Sequence, residues 1–125
     1  MITKEFKQKW LTALTDGSYK HGILSLRSVD AEDGSVLHCC LGVAAELLGE
    51  KIRMITGGYY GSVIEGHEHE LHAGLLPGLL TEKLGIGVAC QCDLACLNDT
   101  HEGLGFPQTV IDYITNLPTE PEQTV

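Results

Sequence analysis

The sequence predicts an α+β fold, a compact single domain with a short antiparallel sheet packed against three to four helices. Three observations predict it. Apolar residues recur at helical spacing at both ends of the chain, as Phe6, Trp10, Ala13 and Leu14 and again as Val110, Ile111, Ile114 and Leu117. Between Gly22 and His38 the side chains alternate as they do in strands. A chain of 125 residues with 43% hydrophobic content is enough for one core and not for two. The domain is expected over residues 1–117, with a flexible acidic tail over 118–125.

Thr3 is placed to cap the first helix and Asp16-Gly17 to end it, with Trp10 as a core anchor. Ile23 to Val29 reads as a strand. The polar loop Asp30-Ala31-Glu32-Asp33-Gly34 then returns the chain as an antiparallel partner over Ser35 to His38. Leu41, Ala44, Ala45, Leu47 and Leu48 make the next helix apolar over a wide arc, which predicts burial, and Gly49 closes it. Gly42 inside that helix lowers its propensity by about 1 kcal/mol relative to Ala, which a close approach to the sheet or a place in the first turn would explain.

Lys51 to Ile55 and Ser62 to Glu65 suit short strands around a glycine-, tyrosine- and histidine-rich excursion over 56–74. Leu75 to Leu84 suits a short helix closed by Gly85, and Ile86 to Cys92 a strand. Asp93 to Asp99 suits a helical turn or more, and Pro107 opens the last helix.

Charge excludes some functions. Seventeen acids against eight bases leave a formal net charge of -9, and only Lys4, Lys7 and Lys9 form a dense basic cluster. Direct nucleic-acid binding needs a larger basic footprint. No stretch approaches the ~20 apolar residues that cross a bilayer. The N-terminal segment is amphipathic and lacks the features of a signal peptide, so a cytoplasmic location is expected. Five cysteines, an odd number, argue for reduced thiols over a disulfide scaffold.

The pattern Trp10-Leu11-x-Ala13-Leu14, Gly17-x-Tyr19-Lys20, Leu26-Arg27 and Cys39-Cys40-Leu41-Gly42-Val43 continues as Leu94-Ala95-x-Leu97-Asn98-Asp99, Phe106 and an Ile-rich final helix. It resembles a group of small uncharacterised proteins of bacteriophage and prophage genomes. The resemblance spans Trp10 to Leu117 in short islands, and the stretch from Gly57 to Gly74 departs from it. It implies a phage-associated origin and a compact mixed fold, and carries over no activity.

Four constellations could hold chemistry. His67-x-His69-x-x-His72, Cys90-x-Cys92-x-x-x-Cys96 and His38-Cys39-Cys40 contain metal-ligand types, and on a strand Cys90 and Cys92 would share a face. None has paired zinc-knuckle spacing, so no metal and no cofactor is assigned. Cys39 or Cys40 at a helix start could be a nucleophile if a histidine came within reach, with Asn98 or Asp99 orienting it. The carboxylates Glu65, Glu68, Glu70, Asp99 and Glu102 read as a solvated face. Gly57-Gly58-Tyr59-Tyr60-Gly61 offers amides and two aromatic rings without a Walker ending.

The ligand- or partner-binding residues assigned from sequence are therefore Tyr59, Tyr60, Arg53, Arg27, His67 and His69. The leading expectation is a non-enzymatic phage accessory protein that binds a host protein or self-assembles, a homodimer included, to modulate host takeover or defence. Two alternatives stay open: a module binding a nucleotide-like small ligand, and a cysteine-dependent enzyme centred on Cys39 or Cys40.

Overall fold

Thr3 stands in extended backbone, and its hydroxyl accepts a hydrogen bond from the Phe6 amide at 3.1 Å. That cap starts α1 (Lys4–Thr15), which ends where Gly17 takes a φ of 85°. The structure, a computed structural model, describes residues 2–22, 26–29, 33–54, 62–64, 78–100 and 105–120, with backbone alone for 53–54, 62–64 and 78–80. After α1 come β1 (Lys20–His21), β2 (Arg27–Val29), β3 (Val36–His38), α2 (Cys40–Leu47), β4 (Ile52–Met54), β5 (Ser62–Ile64), α3 (Gly78–Leu84), α4 (Val88–Asn98) and α5 (Gln108–Thr115).

The three-stranded sheet has the order β1-β3-β2. β2 and β3 pair antiparallel with Arg27 opposite His38, as the alternation and the intervening polar loop predict. β1 was not foreseen and runs parallel to β3, so the sheet is mixed and not antiparallel throughout. Gly22 lets this happen. Its amide donates to the His38 carbonyl at 2.8 Å, and a Cβ there would meet the Leu37 Cβ at 2.7 Å. Only a residue without a side chain lets the chain leaving α1 lie this close to β3. β4 and β5 form a separate antiparallel pair, with Met54 opposite Ser62.

One core lies among these layers, with Trp10, Leu41, Val43, Leu84, Leu94, Val110 and Ile114 fully or almost fully buried. Six consecutive residues of α2, Cys40 to Ala45, are buried, in keeping with an apolar arc too wide for a surface helix. α1 and α4 both pack on α2, and α5 packs on both of them.

Three expectations need correction. The described residues contain five helices, one more than the upper end of the expected range. Ile86 to Cys92 is not a strand, because Val88 to Asn98 is one continuous helix. Its buried residues Gln91, Leu94 and Asn98 recur three and four apart, and a short apolar run cannot reveal that period by itself. Thr119 and Glu120, expected in a flexible tail, are tied to the body by backbone pairing. Ile2 pairs with Thr119 in a parallel bridge, the Glu120 amide donates to the Ile2 carbonyl at 2.9 Å, and Lys7 Nζ donates to the Leu117 carbonyl at 2.8 Å. Residues 121–125 lie outside the described residues.

Both explanations for Gly42 hold, since it lies in the first turn of α2 and marks a close approach. A Cβ at this position would collide with the backbone carbonyl of Leu26, and no side-chain rotation can relieve a backbone clash. Gly42→Ala is expected to destabilise the fold by about 3 kcal/mol or more, the upper range for overpacking, read as a fall in the urea midpoint. Gly87→Ala, where a Cβ meets nothing within 4 Å, is expected to leave the midpoint near that of the wild type.

Candidate functional site at the start of the second helix

The candidate nucleophiles sit at the entry to α2. Cys39 is the N-cap residue, and its sulfur accepts a hydrogen bond from the Gly42 amide at 3.4 Å. Cys40 is the first helical residue, and its thiol points to the Leu94 carbonyl at 3.8 Å. Both are buried. Burial pushes the Cys39 thiol up to about 11, opposed by the Gly42 and Leu41 amides, while the Asp99 carboxylate adds to the rise. Cys40 is raised well above the ordinary value, first by burial and then by the neighbouring Cys39. Desolvation therefore outweighs the favourable electrostatics of a helix start, and both thiols stay protonated at neutral pH.

Asn98 connects this entry to the rest of the molecule. It is fully buried at the last residue of α4. Its Oδ1 accepts from the Cys40 amide at 3.0 Å, one of the donors that a helix start leaves unpaired. Its Nδ2 donates to the Gly22 carbonyl and to Asp99 Oδ1, each at 2.9 Å. Its backbone carbonyl accepts from His21 Nε2 at 2.7 Å, so His21 carries a proton on that nitrogen, and the His21 ring meets Phe106 edge-on. The sequence suggested Asn98 only as an orienting group for catalysis. Its role is to join α2, α4 and the end of β1.

A second polar cluster lies across β3. His38 is buried, with Nε2 3.0 Å from Glu46 Oε2 and the Tyr19 ring edge-on at a centroid distance of 5.0 Å. Tyr19 is hydrogen-bonded to Glu46, and burial and that carboxylate raise its pKa. His38 Nδ1 has no hydrogen-bond partner among the described residues. Burial lowers the His38 pKa, the Glu46 carboxylate opposes the change, and the Arg27 charge adds to it.

Arg27 is half-buried on β2, and its Nη1 donates to the Ile52 carbonyl at 2.9 Å, tying the β4–β5 ribbon to the three-stranded sheet. No motif in the chain announces the His38–Glu46 pair, because its members belong to a strand and a helix that meet only in the fold.

Of the other residues assigned from sequence, Arg53 lies on β4, with its side chain outside the described residues. Tyr59, Tyr60, His67 and His69 also lie outside them, as do His72 and His101. The register from Met54 to Ser62 makes residues 55–61, Tyr59 and Tyr60 included, the connection between two paired strands.

Among the described residues, no three His, Cys, Asp or Glu side chains gather as a metal site. No helix of the described residues is long and apolar enough to cross a membrane. One open groove of about 570 Å³ runs over α1 and is lined by Gln8, Thr12, Asp16, Tyr19 and Leu47 among others. Another, of about 480 Å³, lies between α1 and the residues after α5, with Lys4, Lys7 and Glu120 in its walls. Comparison with protein-family models, curated proteins and solved structures finds no match.

Two outcomes follow for the polar groups. Asn98→Ala is expected to destabilise by about 3 kcal/mol in a denaturant titration, because it leaves the Cys40 amide and the Gly22 carbonyl buried and unpaired. His38 has a folded-state pKa below its unfolded value, so the unfolded chain binds the extra proton. Stability is then held above the unfolded value of about 6.5 and declines as pH falls through and below it. A melting series from pH 8 to pH 5 is expected to show that decline in the wild type and a flatter profile in His38→Gln.

Proposed function

We propose that this chain is a non-enzymatic accessory protein of phage or prophage that works by binding a host protein. The observation that carries the reading is the state of Cys39 and Cys40. The two sulfurs at the start of α2 are buried and protonated, one engaged as a helix cap and the other with a backbone carbonyl. With these thiols sealed, the reading turns from catalysis to binding, carried by another part of the chain. The phage origin rests on the sequence resemblance.

The contact element is the Tyr59-Tyr60 pair. It belongs to the connection of the β4–β5 ribbon, whose base is held to the body by Arg27. Tyrosine among glycines supplies broad contact area with little loss of side-chain freedom.

The test is affinity capture from a bacterial lysate with the wild type and with Tyr59→Ala/Tyr60→Ala. A defined protein held by the wild type and released by the double variant, at an unchanged melting temperature, is the expected result. Equal capture by both overturns the assignment of the segment. A co-purifying compound with nucleotide absorbance, lost in the double variant, would replace the reading with ligand binding.

A second measurement addresses the thiols. Native protein treated with iodoacetamide at pH 8 is expected to label at the exposed Cys92 and Cys96, with Cys39 and Cys40 labelled only after unfolding. Rapid labelling of Cys39 or Cys40 in the native state would restore a cysteine enzyme.

A further inference from the structure

The helix α4 separates the two thiols, Cys90 and Cys92, that a strand would have put on one face. About 100° of rotation per residue places Cys90 about 200° around the axis from Cys92. Cys90 is half-buried there and hydrogen-bonded to Tyr113 of α5. Cys92 and Cys96 are instead one turn apart on the same side, and both are exposed.

The surface around this pair is unusual for so acidic a chain. Val88, Ala89, Asp93 and Thr100 are exposed beside it, and Asp93 is the one charged residue between Val88 and Asn98. Its carboxylate accepts a hydrogen bond from Tyr113 Oη at 3.1 Å.

Geometry restricts what two such thiols can do. Cβ atoms four residues apart on a helix are about 5–6 Å apart, whereas a disulfide needs about 3.5–4.5 Å. The intact helix therefore keeps the two sulfurs from joining each other. A metal ion bonded to two sulfurs at about 2.3 Å each spans at most ~4.6 Å between them, which these side chains can reach. A closed tetrahedral zinc site would need four protein ligands. Among the described residues no third histidine, cysteine or carboxylate joins the pair. Soft ions that accept two thiolates fit this donor set.

We infer that Cys92 and Cys96 form a two-thiolate clip for a soft monovalent metal ion of the copper(I) class. As each sulfur–metal bond forms, its thiol releases one proton to solvent, and the ligands that carried the ion leave with their own electron pairs. The copper remains copper(I), no electron is transferred, and the bound centre carries one net negative charge. The inference does not rest on the Tyr59-Tyr60 contact and uses neither Cys39 nor Cys40.

The test is an anaerobic titration of the full-length, reduced protein with copper(I) supplied as its bicinchoninate complex. Loss of the complex's colour reports transfer, and native mass spectrometry reports stoichiometry. The wild type and Cys90→Ser are expected to take one ion per chain. Cys92→Ser and Cys96→Ser are each expected to bind ~100-fold more weakly or worse, because the second sulfur of a chelate acts at high effective concentration. Circular dichroism of the two variants should match that of the wild type, since both positions are exposed.

Three results overturn the proposal: no transfer to the wild type, transfer that persists in Cys92→Ser/Cys96→Ser, or one ion shared by two chains.

Discussion

The fold depends on how closely the first turn of α2 approaches the backbone at Leu26. Gly42 has no side chain where a Cβ would strike the Leu26 carbonyl, and that same carbonyl accepts the Cys39 amide at 3.4 Å. With α2 this close, six of its residues lose all but traces of solvent contact, and helices close over it from more than one side. Trp10 of α1 reaches across and donates from Nε1 to the Cys40 carbonyl at 3.0 Å, and Asn98 of α4 accepts from the Cys40 amide. One residue at the mouth of α2 therefore engages both neighbouring helices through its backbone.

A helix entry buried this deeply must satisfy its polar groups internally, because an unpaired buried amide is destabilising by an amount comparable to a lost hydrogen bond. Asn98 suits the place because one amide side chain both donates and accepts. Its four hydrogen bonds, one through the backbone, link three elements that are far apart in sequence. The same dryness decides the chemistry of the neighbouring sulfurs. A helix start lowers a thiol pKa where water and a basic partner can reach it. Here desolvation dominates, and Cys39 becomes a capping acceptor. Solvent access is kept instead by Cys92 and Cys96, which face outward on α4.

The sequence was most legible where a short local pattern has one physical meaning. Thr3, Gly17, Gly49 and Gly85 mark helix ends because capping and left-handed backbone are local requirements. The β2–β3 pairing and the burial of α2 were also readable, from alternation and from the width of an apolar arc. α4 was misread because Val88 to Cys92 is short and apolar, and its true period shows only when Leu94 and Asn98 are included. β1 could not be read at all, since two residues have no periodicity and owe their pairing to a bare glycine against Leu37.

What the sequence by itself determined is the class of fold, the limits of most elements and the net acidity of the chain. These depend on local spacing and on composition. The tertiary structure alone decided that Asn98 is a structural junction, that His38 meets Glu46, that Arg27 holds the β4–β5 ribbon, and that two cysteines are sealed while two others are open. Each of these depends on distances between elements remote in the chain. Burial and charge pairing arise only when those elements meet.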